Sequence, residues 1–477
     1  MVSDDPADTA DKISDLPDDV LLDILGRLLK AGDVRTAAST STLSRRWSHL
    51  PWPDVPDLSL DVGSFFADSD EWSPVKGRHR FWHHHRATAA FTAALARFLA
   101  APPSRRVVRT LRLTFILTRR DYVRRIGDLV AAAADAGPVR AVELAIVTEM
   151  TCTAGADAPA MVAYAGRFVE FLKGCPGAFR RLTKLHLMNL WFEDEDALGD
   201  LVRGSGALES LALVFCGLLR RHPSSPDDDV ELPAVLTIDA PRSRLKTLVC
   251  DECYIERVEL AEEDQPLISF GCTPSLRRLS LRHRPFPGEG VDVKWRLSEL
   301  LVREGNQIET LRLEFENDKI WLQPEHPRPL RAALGGLKEL HLREISPGYN
   351  LSWALYQTTY AVVSCARNVT NTNLTWKPSP AFMHHNLKKL SFQRAFNVYK
   401  DMGFARLIME LAVNLETLTF GVKTLECKDC VEAEPKFPDP ARSRLRLPGK
   451  NEHIDAIVKK LKDSISTSVQ ITIHLPD

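Results

Sequence analysis

The sequence lacks the features that mark membrane, secreted and nucleic-acid-binding proteins. None of its apolar runs approaches the ~18 to 20 consecutive residues that a membrane-spanning helix needs. The first stretch, MVSDDPADTADK, is acidic and has no apolar core, so we expect neither a secretory signal nor a transit peptide there. The 62 basic and 63 acidic residues leave a net charge of −1, which gives no electrostatic reason to expect a nucleic-acid or anionic-membrane partner.

Cysteine is scarce and odd in number, which argues against a disulfide framework. The nine cysteines are spread widely, which favours reduced thiols and a cytoplasmic or nuclear location. Cys427 and Cys430 have C-x-x-C spacing, but a lone pair of this kind is a weak indication of zinc binding. The three histidines at 83–85 are consecutive, so they point around a helix instead of converging. We therefore expect no metal and no cofactor.

Catalytic signatures are missing as well. The chain contains no G-x-S-x-G, H-E-x-x-H, G-x-x-x-x-G-K-[ST] or G-x-G-x-x-G motif. The acidic cluster at residues 193–196 falls at the start of a predicted helix, where solvated carboxylates are favourable without any catalytic role. We therefore predict that the protein is not an enzyme.

What the sequence has in abundance is a short leucine phrase, L-x-x-L-x-L. It recurs in segments that begin at residues 107, 139, 182, 208, 245, 276, 308, 337, 387 and 415. From residue 182 onward the gaps are 26, 37, 31, 32, 29, 50 and 28 residues, and the 50-residue gap predicts a degenerate repeat near residues 362–376. Such a period is typical of leucine-rich repeats, in which parallel strands line a concave face and return segments cover a convex face.

Other segments fit this α/β array. Residues 55–62 are predicted to form a first strand and residues 86–100 an Ala-rich helix. Return segments 160–173, 294–302 and 399–413 carry helical apolar spacing, and a terminal helix (452–464) and strand (469–474) should form a cap. Cys216 and Cys253 occupy the Asn/Cys position of the repeat and should turn into the core, and Cys250 is a further core residue.

A different pattern precedes the array. The stretch DLPDDVLLDILGRLLKAGDVRTAASTSTLSRRWSHLP reads as three short helices, the first of which has an apolar stripe at helical spacing. Asp33 is a natural N-cap for the second helix. A unit of under ~40 residues cannot easily bury this much apolar surface by itself, so we expect another protein to complete it.

At these residues the stretch resembles an F-box, the adaptor-binding module of Skp/cullin/F-box ubiquitin ligases. The resemblance rests on Leu16-Pro17, on the Ile24-Leu25-x-x-Leu28 stripe and on Leu43-Ser44-Arg45-Arg46-Trp47. The spacing from Leu28 to Trp47 is about four residues longer than the usual pattern, close to one helical turn of ~3.6 residues. The closing phrase ECKDCVEAEP also looks like the end of many plant F-box/leucine-rich-repeat proteins.

The resemblance implies a substrate-recognition subunit that docks on a Skp-type adaptor, and through it on a cullin, while the repeats bind an unknown target protein. The residues it implies for the adaptor contact are Leu16, Pro17, Leu21, Ile24, Leu25, Leu28, Val34, Leu43 and Trp47. The implied domains are a disordered N-terminus (1–12), an F-box (13–52), a leucine-rich-repeat solenoid (53–425) and a C-terminal cap (426–477). Two alternatives stay open, namely a repeat scaffold without a ligase role and a receptor whose array holds a small molecule.

Overall fold

The computed structural model is an α/β protein built from helices and parallel strands. It describes residues 16–31, 33–40, 43–50, 56–66, 79–99, 108–118, 120–137, 139–149, 158–194, 196–221, 231–233, 236–238, 242–251, 253, 268–270, 273–283, 294–295, 308–315, 321–322, 336–345, 360–365, 385–393, 405–406, 408–421, 451–462 and 468–474. The chain divides into two compact units. The first comprises Met1–Thr151 with Gly166–Leu185, and the second comprises Cys152–Ala165 with His186–Asp477.

The first unit begins with three short helices, α1 (Asp18–Lys30), α2 (Val34–Ser39) and α3 (Arg45–His49). Two side chains start α2 and α3, since Asp33 accepts a hydrogen bond from the N–H of Thr36 and Ser44 accepts one from the N–H of Trp47. The predicted N-cap at Asp33 is therefore confirmed. Pro17 precedes α1 and lies just outside the helix.

Parallel strands and crossover helices make up the rest of the first unit. Strand β1 (Asp57–Asp61) and a 3-10 helix (Val62–Phe65) are followed by α4 (His79–Leu99), β2 (Val108–Ile116), α5 (Arg120–Asp135) and β3 (Val139–Val147). Next come α6 (Ala158–Gly174), α7 (Pro176–Phe179) and β4 (Leu182–Met188). The boundary between the units passes within α6 and β4. Strands β1 to β4 follow one another in chain order, as helical crossovers between parallel strands allow.

The second unit continues with β5 (Trp191–Phe192), α8 (Ala197–Gly204) and a long series of strands. The strands are β6 (Ser210–Val214), β7 (Gly217–Arg221), β8 (Glu231–Pro233), β9 (Leu236–Ile238), β10 (Thr247–Asp251), β11 (Ile268–Phe270), β12 (Arg278–His283), β13 (Lys294–Trp295), β14 (Thr310–Phe315), β15 (Trp321–Leu322), β16 (Glu339–Ile345), β17 (Tyr360–Cys365), β18 (Lys389–Gln393) and β19 (Thr417–Gly421). Helix α9 (Asn451–Lys462) and strand β20 (Gln470–His474) complete the described part of the unit.

One run of these strands is parallel and lies in the order β6-β10-β12-β14-β16-β17-β18-β19-β20. Its register aligns the second residue of each strand, which is leucine except for Ala361 in β17 and Ile471 in β20. Leu311, for example, pairs with Leu279 on one side and Leu340 on the other. All three are at most 1% exposed. Successive strands therefore complete each other's core, as the repeat pattern predicted.

Several individual predictions are confirmed. A strand does fill the 50-residue gap, although β17 begins at Tyr360, two residues before the predicted repeat. Cys216 and Cys253 are both 1% exposed, and their thiols donate to the carbonyls of Leu187 and Leu213, respectively. The terminal helix and strand exist as α9 and β20.

Other predictions need correction or lie outside the described residues. Segment 294–302 was expected to be helical, but its first two residues form strand β13, and the remainder lies outside the described part of the chain. Segment 399–413 is helical at 405–406 and 408–411. Cys427, Cys430 and residues 1–12 also lie outside it.

A repeated turn follows β4 and β6. Asn189 and Phe215 have positive φ angles of 57° and 51°, a conformation that L-residues seldom adopt. The N–H of Asn189 donates to the carbonyl of Val214, and the N–H of Phe215 donates to that of Asp251. These two turns are thus each held by the next strand of the sheet.

Candidate functional site

Most apolar residues of α1, together with Leu16 just before it, form two rows; the half-buried Leu22 belongs to neither. Leu21, Leu25 and Leu29 follow each other at a spacing of four residues and are buried, at 0%, 1% and 9% exposure. A second row has the same spacing and consists of Leu16, Val20, Ile24 and Leu28. Val20 is exposed and the other three are half-buried. Because residues four apart lie on one side of a helix, the second row is a continuous apolar strip that we call the open row.

Two further apolar residues of the three-helix module, which comprises α1, α2 and α3, are exposed. Pro17 is exposed next to Leu16 at the start of α1. Leu43, which lies in the turn before α3, is 61% exposed and is among the most exposed large apolar side chains in the described part of the chain. A side chain of this kind in water has no stabilising role within the module, and a group of them marks a surface that another molecule can cover.

The structure separates the predicted adaptor-contact residues into an exposed and a buried set. Leu16, Pro17, Ile24, Leu28 and Leu43 are exposed or half-buried. Leu21, Leu25, Val34 and Trp47 are at most 3% exposed and belong to the core of the module. Val20 is not among the adaptor-contact residues predicted from the sequence, although it lies four residues from both Leu16 and Ile24.

Trp47 is the largest side chain of the module core. It is 2% exposed, and its indole Nε1 has no hydrogen-bond partner among the described residues. A tryptophan in this position stabilises the packing of α3 on α1 through apolar burial. Any contact it makes with a partner in the present conformation is therefore indirect.

An exposed ion pair links α3 to α1 at the edge of this core. The guanidinium of Arg46 on α3 donates twice to Oδ1 of Asp18 on α1, at 2.8 Å from Nε and 2.6 Å from Nη2. Both side chains are substantially exposed, so the ion pair orients the helices more than it stabilises them. Asp23 and Arg27 form a second pair within α1, with 2.9 Å between Oδ2 and Nε.

The module is anchored to the rest of the first unit by two arginines. Arg97 of α4 donates from Nη1 to the carbonyl of Ala38 at 3.0 Å and from Nη2 to the carbonyl of Trp47 at 3.1 Å. Arg35 of α2 donates to the carbonyl of Phe66 at 2.7 Å. Partial burial lowers the pKa of Arg97 from its usual value, although an arginine stays protonated at neutral pH. Because no sequence motif predicts contacts to backbone carbonyls, neither arginine was identified from the sequence.

The outward face of the strands in the second unit is a different kind of surface. Between the buried leucines it presents polar side chains in register, including Arg278, Thr310 and Glu339 in one row and Ser280, Arg312 and His341 in the next. The interaction with His341, whose Nε2 lies 3.8 Å from Oε2 of Glu339, lowers the pKa of Glu339, and Arg278 and Thr310 contribute. Asp251 and Arg282 form an ion pair of 3.3 Å and are only 11% and 15% exposed.

Ion pairs also link neighbouring repeats. In each pair the charged residues directly follow the first buried residue of their leucine motifs. Glu309 lies between Arg277 and Lys338, with N–O distances of 3.9 and 2.8 Å. Lys246 pairs with Glu209, and Lys388 pairs with Glu416. The first unit has a related triad in which Glu143 contacts Arg112 at 2.9 Å and Lys184 at 3.7 Å. The outward strand faces are thus polar and largely self-neutralised.

The described residues contain no candidate metal-binding cluster. They hold no cluster of three or more His, Cys, Asp or Glu side chains that could bind a metal ion. The histidines of α4 diverge as predicted, since His83 is exposed, His84 is buried and His85 lies 3.1 Å from the hydroxyl of Tyr122. No described helix is both long and apolar enough to cross a membrane.

Comparison with known proteins gives a partial similarity. No family model matches the chain. A stretch of 68 residues, 14% of the chain, is 44% identical to a rice protein (Oryza sativa subsp. japonica) described as "MEIOTIC F-BOX protein MOF". The match spans 13% of the length of that rice protein. The chain is therefore similar over a short segment to an F-box protein.

Proposed function

We propose that the protein is the substrate-recognition subunit of a Skp/cullin/F-box ubiquitin ligase. In this proposal residues 13–52 are the F-box and dock on a Skp-type adaptor, and residues 53–425 form a leucine-rich-repeat solenoid that binds a target protein. The cap comprises residues 426–477. The role is non-catalytic: the subunit brings a lysine of the target close to the charged ubiquitin-conjugating enzyme, so that transfer becomes effectively intramolecular. Such ligases work in the cytoplasm or nucleus, where we place this protein.

The single observation that carries the proposal is the open row on α1. A three-helix module that leaves Val20, Ile24 and Leu28 in partial contact with water, while Leu21 and Leu25 fill its own core, has surface to offer to a partner. The similarity to a rice F-box protein supports an adaptor as that partner. The buried residues Leu21, Leu25, Val34 and Trp47 then support the docking surface from behind.

The energetics set a limit on what this surface can do. Each half-buried side chain of the open row could add about 1 kcal/mol on complete burial, since part of its apolar area is already removed from water. Association costs roughly 4 to 15 kcal/mol in lost freedom. The row therefore cannot account for tight docking alone, and we expect exposed Leu43 and polar contacts at the rim to contribute.

The test is adaptor binding by variants that separate the open row from the opposite side of α1. In the first variant Ile24 and Leu28 become serine, and in the control the exposed residues Asp19 and Lys30, which lie away from the open row, become serine. We expect the first variant to lose at least roughly tenfold in affinity for a purified Skp-type adaptor, the equivalent of about 1.4 kcal/mol. The control should bind normally.

Melting curves of both variants show whether the module remains folded. Unchanged affinity in the open-row variant would refute this docking surface. If the unmodified chain is folded but shows no adaptor binding at micromolar concentration, the protein is instead a repeat scaffold without a ligase role.

A further inference from the structure

A short structural path connects the three-helix module to the first unit, and it passes through Arg97. This residue lies in α4, next to Phe98 and two positions after Leu95, both of which are buried. Its guanidinium is half-buried and reaches residues 50 and 59 positions earlier in the chain. A cation with five donors in a fixed plane is suited to hold two separate acceptors at once.

The two acceptors belong to different helices. The carbonyl of Ala38 lies in the last turn of α2, and the carbonyl of Trp47 lies in the last turn of α3. Carbonyls in the last turn of a helix carry partial negative charge, which attracts a cation. Arg97 therefore contacts the ends of two helices that share one core with α1.

A second contact fixes the other side of α2. Arg35 donates to the carbonyl of Phe66, just after the 3-10 helix, and the ring of Phe66 packs edge-on against His84 of α4 with 5.4 Å between ring centres. Phe65 packs edge-on against Phe91 of the same helix at 6.0 Å. With α2 held at two separated points, it cannot rotate on α4 without breaking at least one of them.

We propose that Arg97 is a positioning residue that fixes the orientation of α1, and with it the open row, relative to β1 and α4. It acts on the module through backbone carbonyls and does not belong to the docking surface. Its importance for ubiquitin transfer rests on the proposed function, because a receptor must hold its target at a defined place relative to the adaptor. Its effect on orientation can be measured without any partner.

The experiment measures the distance distribution between bio-orthogonal spin labels at two exposed positions, Lys30 on α1 and Ser59 on β1, in the full-length chain. The unmodified chain should give one narrow distribution. R97M keeps most of the apolar stem and removes the donors, so it should broaden the distribution. R97K keeps the charge but loses the two-pronged geometry, and it should give an intermediate width.

Hydrogen exchange provides a second measurement that a general loss of stability would affect differently. In R97M the amides of α1 should exchange at least roughly tenfold faster, which corresponds to the loss of one charge-assisted hydrogen bond. The amides of β2 and β3 should keep their protection. The matched control is R86A, which removes an exposed arginine from the same helix and should change neither measurement.

The outcomes are distinct. A narrow, unshifted distance distribution in R97M would overturn the proposal, since it would mean that the stem alone holds the module. Equal acceleration of exchange in α1, β2 and β3 would also overturn it, because Arg97 would then be only a stabilising residue. Adaptor affinity of R97M should stay within about threefold of the unmodified chain. If neither chain binds the adaptor, the proposed function fails, while the distance measurement still decides the role of Arg97.

Discussion

Helix α1 and the strands of the second unit are both rich in leucine, yet they use it differently. In the second unit the inward side chains of β10, β12 and β14, among them Leu248, Leu279 and Leu311, are at most 1% exposed. In α1 only the row formed by Leu21, Leu25 and Leu29 is buried, and the row beside it is open. A strand of a parallel array buries its whole apolar face against its neighbours. A short helix with a wide apolar arc is covered on one side only.

This difference tells us where an apolar partner can bind. The strand array presents polar and charged side chains on its outward face, many of them paired, so a partner there must be recognised by hydrogen bonds and charge. The three-helix module presents an apolar strip, so a partner there gains from burial. The two surfaces are suited to two kinds of partner.

The largest expected effect comes from the strand array. Leu311→Ala removes a completely buried side chain between Leu279 and Leu340, and it should lower the free energy of unfolding by about 2 to 5 kcal/mol. Denaturant unfolding would measure this loss. The neighbouring variant Arg312→Ala, on the outward face, should cost much less. If both variants lose the same stability, the outward face of the strands is packed as tightly as the buried face.

A smaller effect concerns pH and His186, on the outward face of β4. Burial lowers the pKa of His186 to about 4 from 6.5. Between these two values the unfolded chain therefore binds a proton more readily than the folded chain. The contribution of His186 to the free energy of unfolding is fully present above pH 6.5 and is lost as the pH drops toward 4. Between pH 7 and pH 5 this residue should account for a loss of about 2 kcal/mol.

The measurement for His186 is the difference in stability between the two pH values, compared with His186→Gln. The glutamine variant cannot titrate, so it should lose less stability on acidification than the unmodified chain. An identical pH dependence in the two proteins would mean that His186 takes up its proton without penalty and that the outward face is more open to water than described.

The smallest expected effect is the loss of stability in Ile24→Ala, which is compared with a buried residue of the same helix. Ile24→Ala truncates a half-buried side chain of the open row and should cost no more than about 1 kcal/mol of stability. Leu21→Ala truncates a side chain with 0% exposure and should cost about 2 to 5 kcal/mol. Melting temperatures of the two variants provide the test. Equal costs would mean that the open row is packed as tightly as the buried one.

Much of the fold could be predicted because its signals are local and periodic. The leucine phrase located the parallel strands β2, β10 and β14 within a few residues, and even the interrupted interval proved to contain β17. The cysteines of the repeat were placed in the core for the same reason. Short strands such as β13 carry too few residues to show a period, and the helical prediction was wrong for the two described residues of that segment.

The candidate site was harder to predict because it depends on which residues of an apolar helix face inward. Leu21 and Ile24 have the same chemistry and lie in the same stripe, and only the positions of α2 and α3 decide that the first is buried. Trp47 was predicted to contact the adaptor and lies in the module core; whether it affects docking stays a prediction. The contacts of Arg97 involve backbone carbonyls of distant residues, for which a sequence contains no pattern.

The turns that follow β4 and β6 have a consequence for the order of assembly during translation. The amide of Asn189 is satisfied by a carbonyl at residue 214, and that of Phe215 by a carbonyl at residue 251. A repeat that has just left the ribosome therefore keeps an open backbone donor until the next one has been synthesised. We expect each of these two turns to mature only after the strand that accepts its amide has been synthesised, so a protein truncated before Asp251 would leave the amide of Phe215 without this acceptor.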